Sequence, residues 1–362
     1  MFLHAHIPLL STRKSSNLYN TTCLLLITVA LLCFLYRRRN TKTNDPYGLF
    51  HLSLNKRQGE DANSPPVTEW LNMGYWKVNI TNTNIGLELK ARRTGYKYLS
   101  GCMPRLVGFG DPHGDNLNLL PYVFHCSALA LKLVRAAQCQ EDGNVFDVGY
   151  GTGESLILLL THPSVPRPRH LTGITSMPLH HKRSLERINH ITPSVKTKIS
   201  LHAGDAVYRQ ETSLSAHPLN PSSTSNRFNS ILALDCAYHF QTRELFLRQS
   251  FHQLLPNGRI ALADICFSNA PPMNPWARLI RRVLKLMPQE NAISIDDYIR
   301  CLEQIGYEDV KVEDVSEDVF PGFVAFLKSR GLGWWLFGFV MYQYYSAGAR
   351  FVIASASRFR KE

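Results

Sequence analysis

Val145-Phe146-Asp147-Val148-Gly149-Tyr150-Gly151-Thr152-Gly153-Glu154-Ser155 is the segment of this chain whose residue types and spacing point most clearly to chemistry. An apolar strand runs into glycines at alternate positions and then into a helix. Glycines there let the backbone turn sharply and let a ligand lie against main-chain N–H groups at the helix start. In an open α/β sheet the carboxyl end of a central strand is the usual ligand crevice. The spacing is G-x-G-x-G, whereas a nicotinamide fingerprint needs G-x-G-x-x-G and an acid about 20 residues further on. The plain alternative is a tight strand–helix turn that binds nothing. A second candidate is His239, five residues past the strand Phe228–Leu234, in Asp235-Cys236-Ala237-Tyr238-His239-Phe240. A histidine near neutral pKa can take a proton from a hydroxyl or a carbon acid; a packing or helix-capping role is the alternative.

Elements that could position these groups follow from the pattern around them. Short apolar runs at Asn144–Gly149, Leu171–Ile174, Lys198–Ala203, Phe228–Leu234, Arg259–Asp264, Glu308–Val315 and Phe351–Ser355 read as strands. Helical segments are expected at Glu154–Thr161, Pro178–Ile191, Arg243–Leu254 and Ser294–Ile305. Their alternation predicts an α/β fold with a doubly wound, mostly parallel sheet. Pro163–Arg169 and Glu211–Arg227 read as surface loops, and Val67–Gln138 as an aromatic, mostly helical stretch.

The motifs occur together in one order, and that order resembles the class I S-adenosylmethionine-dependent methyltransferases. Asp147-Val148-Gly149-Tyr150-Gly151-Thr152-Gly153 is similar to motif I of that family, with Tyr150 where Cys, Ala or Ser often stands. Leu171–Pro178 (LTGITSMP) resembles the second-strand segment of the sterol 24-C, tocopherol and cyclopropane-fatty-acid branch. His202-Ala203-Gly204-Asp205-Ala206 resembles the third-strand loop, Ser230–Phe240 the fourth strand and its catalytic-face loop, and Leu254–Arg259 the turn before strand five. Upstream, Asn72-Met73-Gly74-Tyr75-Trp76 looks like an N-x-G-Y-W element that precedes the core.

The resemblance implies a seven-stranded Rossmann-like sheet and S-adenosyl-L-methionine as cofactor. It places Gly149, Gly151 and Gly153 against the donor, and Asp205 with Ala206 at the adenine. Asp147 then accepts hydrogen bonds near the donor's amino-acid end or ties down the turn. The acid that commonly grips the ribose is absent, which leaves the hydroxyls of Thr175 and Ser176. Asp235 is expected at the methionine end or the strand's exit. Tyr75 and Trp76 are expected to cover the donor and face its positive sulfur through cation–π contact, with ordinary helix packing as the alternative. His239 and Tyr75 are the expected catalytic pair.

Composition bounds the surroundings. The 362 residues are 44% hydrophobic and 19% charged, so wholesale disorder is excluded. The net charge is +12, but residues 1–44 hold six cations and no acid, which leaves little case for a nucleic-acid surface. Eight cysteines show no C-x-x-C spacing, which argues against a zinc ribbon or a disulfide framework, and no histidine–carboxylate set has metal-ligand spacing. Leu18–Tyr36 is uncharged and just long enough for a bilayer core of roughly 30 Å, and Arg37-Arg38-Arg39 follows it directly.

The expected organisation is therefore a tail at 1–17, a transmembrane helix at 18–36 and a linker at 37–66. A helical substrate or lid region follows at 67–142, then the donor-binding core at 143–270 and the rest of the sheet with added helices at 271–362. The anchor predicts a single-pass membrane protein of endoplasmic-reticulum type with a cytoplasmic body. A signal peptide or a transit peptide is the rival for the same segment. The expected substrate is a lipophilic small molecule of sterol, prenyl-quinone or fatty-acyl character. A soluble secondary metabolite, or a catalytically dead scaffold, is the alternative. Trp334–Tyr345 is aromatic and uncharged, and reads as an interfacial helix, a lipophilic pocket wall or plain core. Arg278–Leu286 is a basic amphipathic stretch suited to anionic headgroups or to solvent.

Overall fold

The structure, a computed structural model, describes residues 50–56, 66, 68–77, 122–191, 196–213, 215–222, 227–268 and 287–359. The expected span at 18–36, most of the linker, residues 78–121 and the basic stretch 278–286 lie outside the described residues. Seven strands form one sheet: β1 (Asn144–Val148), β2 (His170–Thr175), β3 (Lys198–Ala203), β4 (Phe228–Leu234), β5 (Leu254–Phe267), β6 (Glu308–Asp314) and β7 (Ala349–Arg358). Their order is β3-β2-β1-β4-β5-β7-β6. The first five are parallel, and β7 lies antiparallel between β5 and β6. Strand order reverses at β1, between β2 and β4, so the crevice at the carboxyl end of β1 is the topological switch point.

Alternation along β1 assigns its side chains to two layers. Phe146 and Val148 join one apolar cluster, and Val145 faces the other. Helices α1 (Tyr122–Ala136), α2 (Glu154–Thr161) and α3 (Pro178–Asn189) cover the Val145 side, together with α6 (Ser316–Lys328). Helices α4 (Arg243–Gln253) and α5 (Ile295–Ile305) cover the other through Phe246, Leu247, Tyr298 and Leu302. A further helix, α7 (Leu332–Ser346), packs on α6, where Gly338 lets it approach the Leu327 side chain. No helix among the described residues is long and apolar enough to cross a membrane.

The strands lie where the sequence places them, with two extensions. Strand β5 begins at Leu254, because Leu254 pairs with Phe228 before a bulge in which Asn257 turns at φ 62°. Strand β7 runs to Arg358; its Ala354–Ser357 tail is small and polar in pattern yet sits between two neighbours. The expected helix over the start of 67–142 is not formed at residues 68–77. They run as an extended strap, because Gly74 turns at φ 79° and the Asn72 side chain takes the Gly74 N–H.

One buried ion pair joins the layers behind the β4 exit. Arg243, first residue of α4, bonds Asp264 at 2.8 Å and the Ile265 and Asn291 carbonyls, and lies over the Tyr298 ring. Tyr298 donates to the same Asp264 oxygen at 2.9 Å. Removing one partner of a buried pair strands the other charge, at a cost of about 3–5 kcal/mol. Arg243→Met, which keeps most of the volume, is therefore expected to lower urea-unfolding stability by about 3–5 kcal/mol. An unchanged midpoint would show that the pair is dispensable.

Candidate functional site

The turn after β1 is built from three left-handed glycines, with φ 75° at Gly149, 55° at Gly151 and 98° at Gly153. A Cβ at Gly149 would lie 2.6 Å from Cys236 Sγ, so the turn packs directly on the loop that leaves β4. A Cβ at Gly151 would instead meet only the Leu71 side chain, at 2.4 Å from Cδ1. Leu71 belongs to the strap and is 40% exposed, so it covers the turn without being locked there. Tyr150 is buried under the turn. Its ring fills the space that Gly173 leaves open in β2, and its hydroxyl meets His181 Nδ1 at 2.6 Å and the His202 carbonyl at 3.2 Å. A tyrosine at this place thus needs a glycine in the neighbouring strand.

The strap is clamped at several points. At its start the Glu69 N–H donates to Glu154 Oε1 at 2.7 Å, and the Glu69 carbonyl accepts the Thr152 hydroxyl at 2.9 Å. The Glu69 carboxylate pairs with Arg183 at 2.6 Å, and Arg187 bonds both Glu154 and the Thr152 carbonyl. In the middle, Asn72 bonds Tyr122, Cys126 and its own turn. Next, the Met73 N–H donates to Asp235 Oδ2 at 2.8 Å. Asp235 also accepts the Tyr238 hydroxyl, at 3.0 Å, and sits at φ 55°. Burial pushes its carboxyl up to about 7, against the pull of those two donors.

A cavity of about 220 Å³ opens beside the turn, at the carboxyl ends of β2 and β3. Ile174, His202, Ala203, Gly204, Asp205 and His217 line it. Whole-ligand pockets run to roughly 300–1,000 Å³, so this one suits one end of a larger molecule. Asp205 takes the Val207 N–H on Oδ1, and His217 Nε2 lies 2.8 Å from the Asp205 carbonyl. Burial lowers the pKa of both His202 and His217, which disfavours a positive charge on either ring. Thr175 is buried just beneath, its carbonyl taking the Gly204 N–H, while Ser176 is exposed.

Residues 124–312, more than half of the chain, match the methyltransferase domain family. The chain belongs to that family. It is 27% identical over 201 residues to erythromycin 3''-O-methyltransferase of Saccharopolyspora erythraea, across 53% of this chain and 59% of that protein. It is 24% identical over 190 residues to the chloroplastic tocopherol O-methyltransferase of Arabidopsis thaliana, across 51% of this chain and 49% of that one. The chain thus spans between half and three fifths of these curated relatives. Among solved structures it resembles geranyl diphosphate C-methyltransferase of Streptomyces coelicolor, with TM-score 0.53 and 16% identity over 69% of this chain and 83% of that chain. It also resembles the cyclase SpnF, with TM-score 0.51 and 14% identity over 76% of this chain and 96% of that chain. At these identities the likeness is one of fold.

S-adenosylmethionine is the cofactor that a methyltransferase domain implies, and the residues fit it. Three left-handed glycines stand at the helix start, Gly151 of them covered only by the Leu71 side chain, and a cavity lined by Asp205 lies beside them. Gly149, Gly151, Gly153, Asp205, Ala206 and Thr175 therefore gather at one end of the sheet, with Asp235 and His239 on the adjoining loop. Tyr75 and Trp76 are placed elsewhere. The Tyr75 hydroxyl donates to Asp318 on α6 at 3.0 Å, and burial with Asp318 pushes it up to about 12. Trp76 stacks on His125 at 3.9 Å and fills the space above Gly322. The strap residues that reach the site are Leu71 and Met73. Nothing in the sequence marks Leu71, and the Glu69–Arg183 pair joins residues too far apart in the chain to be read as neighbours. His217 lies in a stretch read as a surface loop.

Asp147 points away from the turn, into the layer between α1, α2 and the sheet, beside Leu133, Leu158 and Leu232. Its Oδ2 has no partner among the described residues, and burial raises the carboxyl to about 7 against the pull of Ser155. It ties the end of β1 to α2. The unfolded chain releases this proton near 3.8 and the folded chain near 7, so stability is lost as pH rises between those values. The loss amounts to at most about 4 kcal/mol at 1.36 kcal/mol per unit. Denaturant unfolding from pH 4 to pH 8 is expected to show that fall, with a shallower slope in Asp147→Asn. An identical slope in the variant would place the titration elsewhere.

Proposed function

We propose that this chain is an S-adenosylmethionine-dependent methyltransferase that acts on a lipophilic small molecule and is held at a membrane by residues 18–36. The observation that carries methyl transfer is the left-handed three-glycine turn at the switch point, covered at Gly151 only by the half-exposed Leu71 of the strap. The intact turn and the adjoining cavity argue against a scaffold that has lost its donor site. Lipophilic character is supported by the uncharged segment Leu18–Tyr36, by the G-I-T-x-S likeness at Gly173–Ser176 and by a relative that acts on tocopherol. The erythromycin relative supports a second reading, in which the acceptor is a soluble secondary metabolite.

A donor held at the glycine turn and the Asp205 cavity would supply an electrophilic methyl on a positive sulfur, open to in-line displacement by the acceptor's nucleophilic atom with neutral sulfur as the leaving group. The chain's own task is placement and exclusion of water, which can supply much of the acceleration. The glycine turn orients the donor's main-chain contacts, and the cavity at Asp205 receives its adenine end. Asp235 fixes the strap through Met73 and the acceptor-side loop through Tyr238. His239 lies on that loop in a 3-10 turn, Ala237–His239, with its ring 4.2 Å from that of Tyr238. Asn291 holds the loop by bonding the Tyr238 and Phe240 carbonyls. From there the His239 imidazole takes the proton that the acceptor loses on methylation.

Membranes carrying the full chain, supplied with methyl-labelled S-adenosylmethionine, are expected to deliver label into the organic phase on extraction. His239→Ala is expected to lower that turnover by roughly 100- to 10,000-fold, with S-adenosylhomocysteine affinity unchanged. Label confined to the aqueous phase would transfer the proposal to a soluble acceptor. No label in either phase would remove methyl transfer.

A further inference from the structure

Helix α7 has a composition that its packing does not explain. Its fifteen residues, LGWWLFGFVMYQYYS, hold no charge and are apolar around the whole circumference, yet only Gly338 and Met341 are buried. Leu332 is 76% exposed, Trp335 43% and Tyr342 48%. With Phe339, whose ring stacks on that of Trp335, they recur three or four residues apart and form one stripe along the helix, while Phe337, 37% exposed, lies on another side. A charge-free helix with Trp and Tyr on its outer face matches the composition of helices at a membrane–water interface. At 1.5 Å per residue it is about 22 Å long, too short to cross a core of roughly 30 Å, so it suits lying along a surface.

Two further observations name that surface as a bilayer. Lys328, exposed at the end of α6, lies 5.5 Å from the centre of the Tyr342 ring, which puts a cation at the edge of the stripe for anionic headgroups. The first described element of the chain, the 3-10 turn Phe50–Asn55, is fastened to the start of α7. Arg330 donates to the Ser53 and Lys56 carbonyls at 2.7 and 2.6 Å, and Trp334 Nε1 to Ser53 Oγ at 3.2 Å. Only residues 37–49 separate that turn from Leu18–Tyr36, a reach of at most about 45 Å. A span at 18–36 therefore delivers the chain to the start of α7, close to the same bilayer.

We infer that α7 lies in the headgroup region of an anionic membrane, with Leu332, Trp335, Phe339 and Tyr342 facing the acyl chains. This rests on the anchored reading above. It fixes the orientation of the enzyme, with α7 between the lipid and α6.

The test uses the full chain on vesicles of phosphatidylcholine and phosphatidylserine carrying lipids brominated near the headgroup end of the acyl chain. Trp335→Phe keeps the aromatic stripe and removes one reporter. The wild type is expected to show bromolipid quenching that is largely lost in Trp335→Phe, and weaker quenching when bromine is placed deep in the chain. Equal quenching in the two proteins on the same vesicles would overturn the inference. So would cross-linking at position 335 between two copies, which would make the stripe a protein interface. A chain that resists carbonate extraction without a Trp335 signal would remove the helix and keep the anchor. A carbonate-extractable chain with the signal would do the reverse.

Discussion

The site depends on two buried carboxylates and the two half-buried guanidiniums that face them. Glu69 on the strap and Glu154 at the start of α2 are both nearly enclosed, and Arg183 and Arg187 on α3 pair with them. A carboxylate left buried without its arginine costs several kcal/mol, which holds the strap to α3. Their hydrogen bonds run through Thr152, inside the glycine turn itself. The same cluster that closes the strap therefore also fixes the shape of the turn beneath it. On the proposed reading, the cover and the donor site share one set of contacts.

The acceptor side is held separately. Arg243, Asp264, Tyr298 and Asn291 form a second buried network behind β4 and β5, and Asn291 reaches from it to the loop that carries His239. Asp235 is where the two halves meet, through Met73 on one side and Tyr238 on the other. A strap bonded by its backbone and covering the turn with one exposed leucine can yield to a ligand at Leu71 while its ends stay in place.

Much of this was legible in the residues. Strands β1 to β4 followed from short apolar runs, and the turn from glycines at 149, 151 and 153, because both signals are local. Helix α6 escaped because Pro321 and Gly322 stand in its middle and read as breakers; Gly322 is there because the Trp76 ring rests against it. The strap escaped because its conformation is set by partners such as Asp235 and Cys126, far off in sequence. Tyr75 and Trp76 looked like a donor cover by motif, while Asp318 and His125 give their side chains packing partners at α6 and α1. Sequence spacing reports backbone geometry well and long-range polar pairing poorly.

Amide hydrogen exchange of the full chain with and without S-adenosylhomocysteine tests most directly where the donor sits. Binding across the turn and beneath the strap is expected to slow exchange at residues 149–153, at 203–206 and at 68–74 together. Saturating ligand that leaves the amides of 149–153 unchanged, or protects only a region away from them, would contradict it.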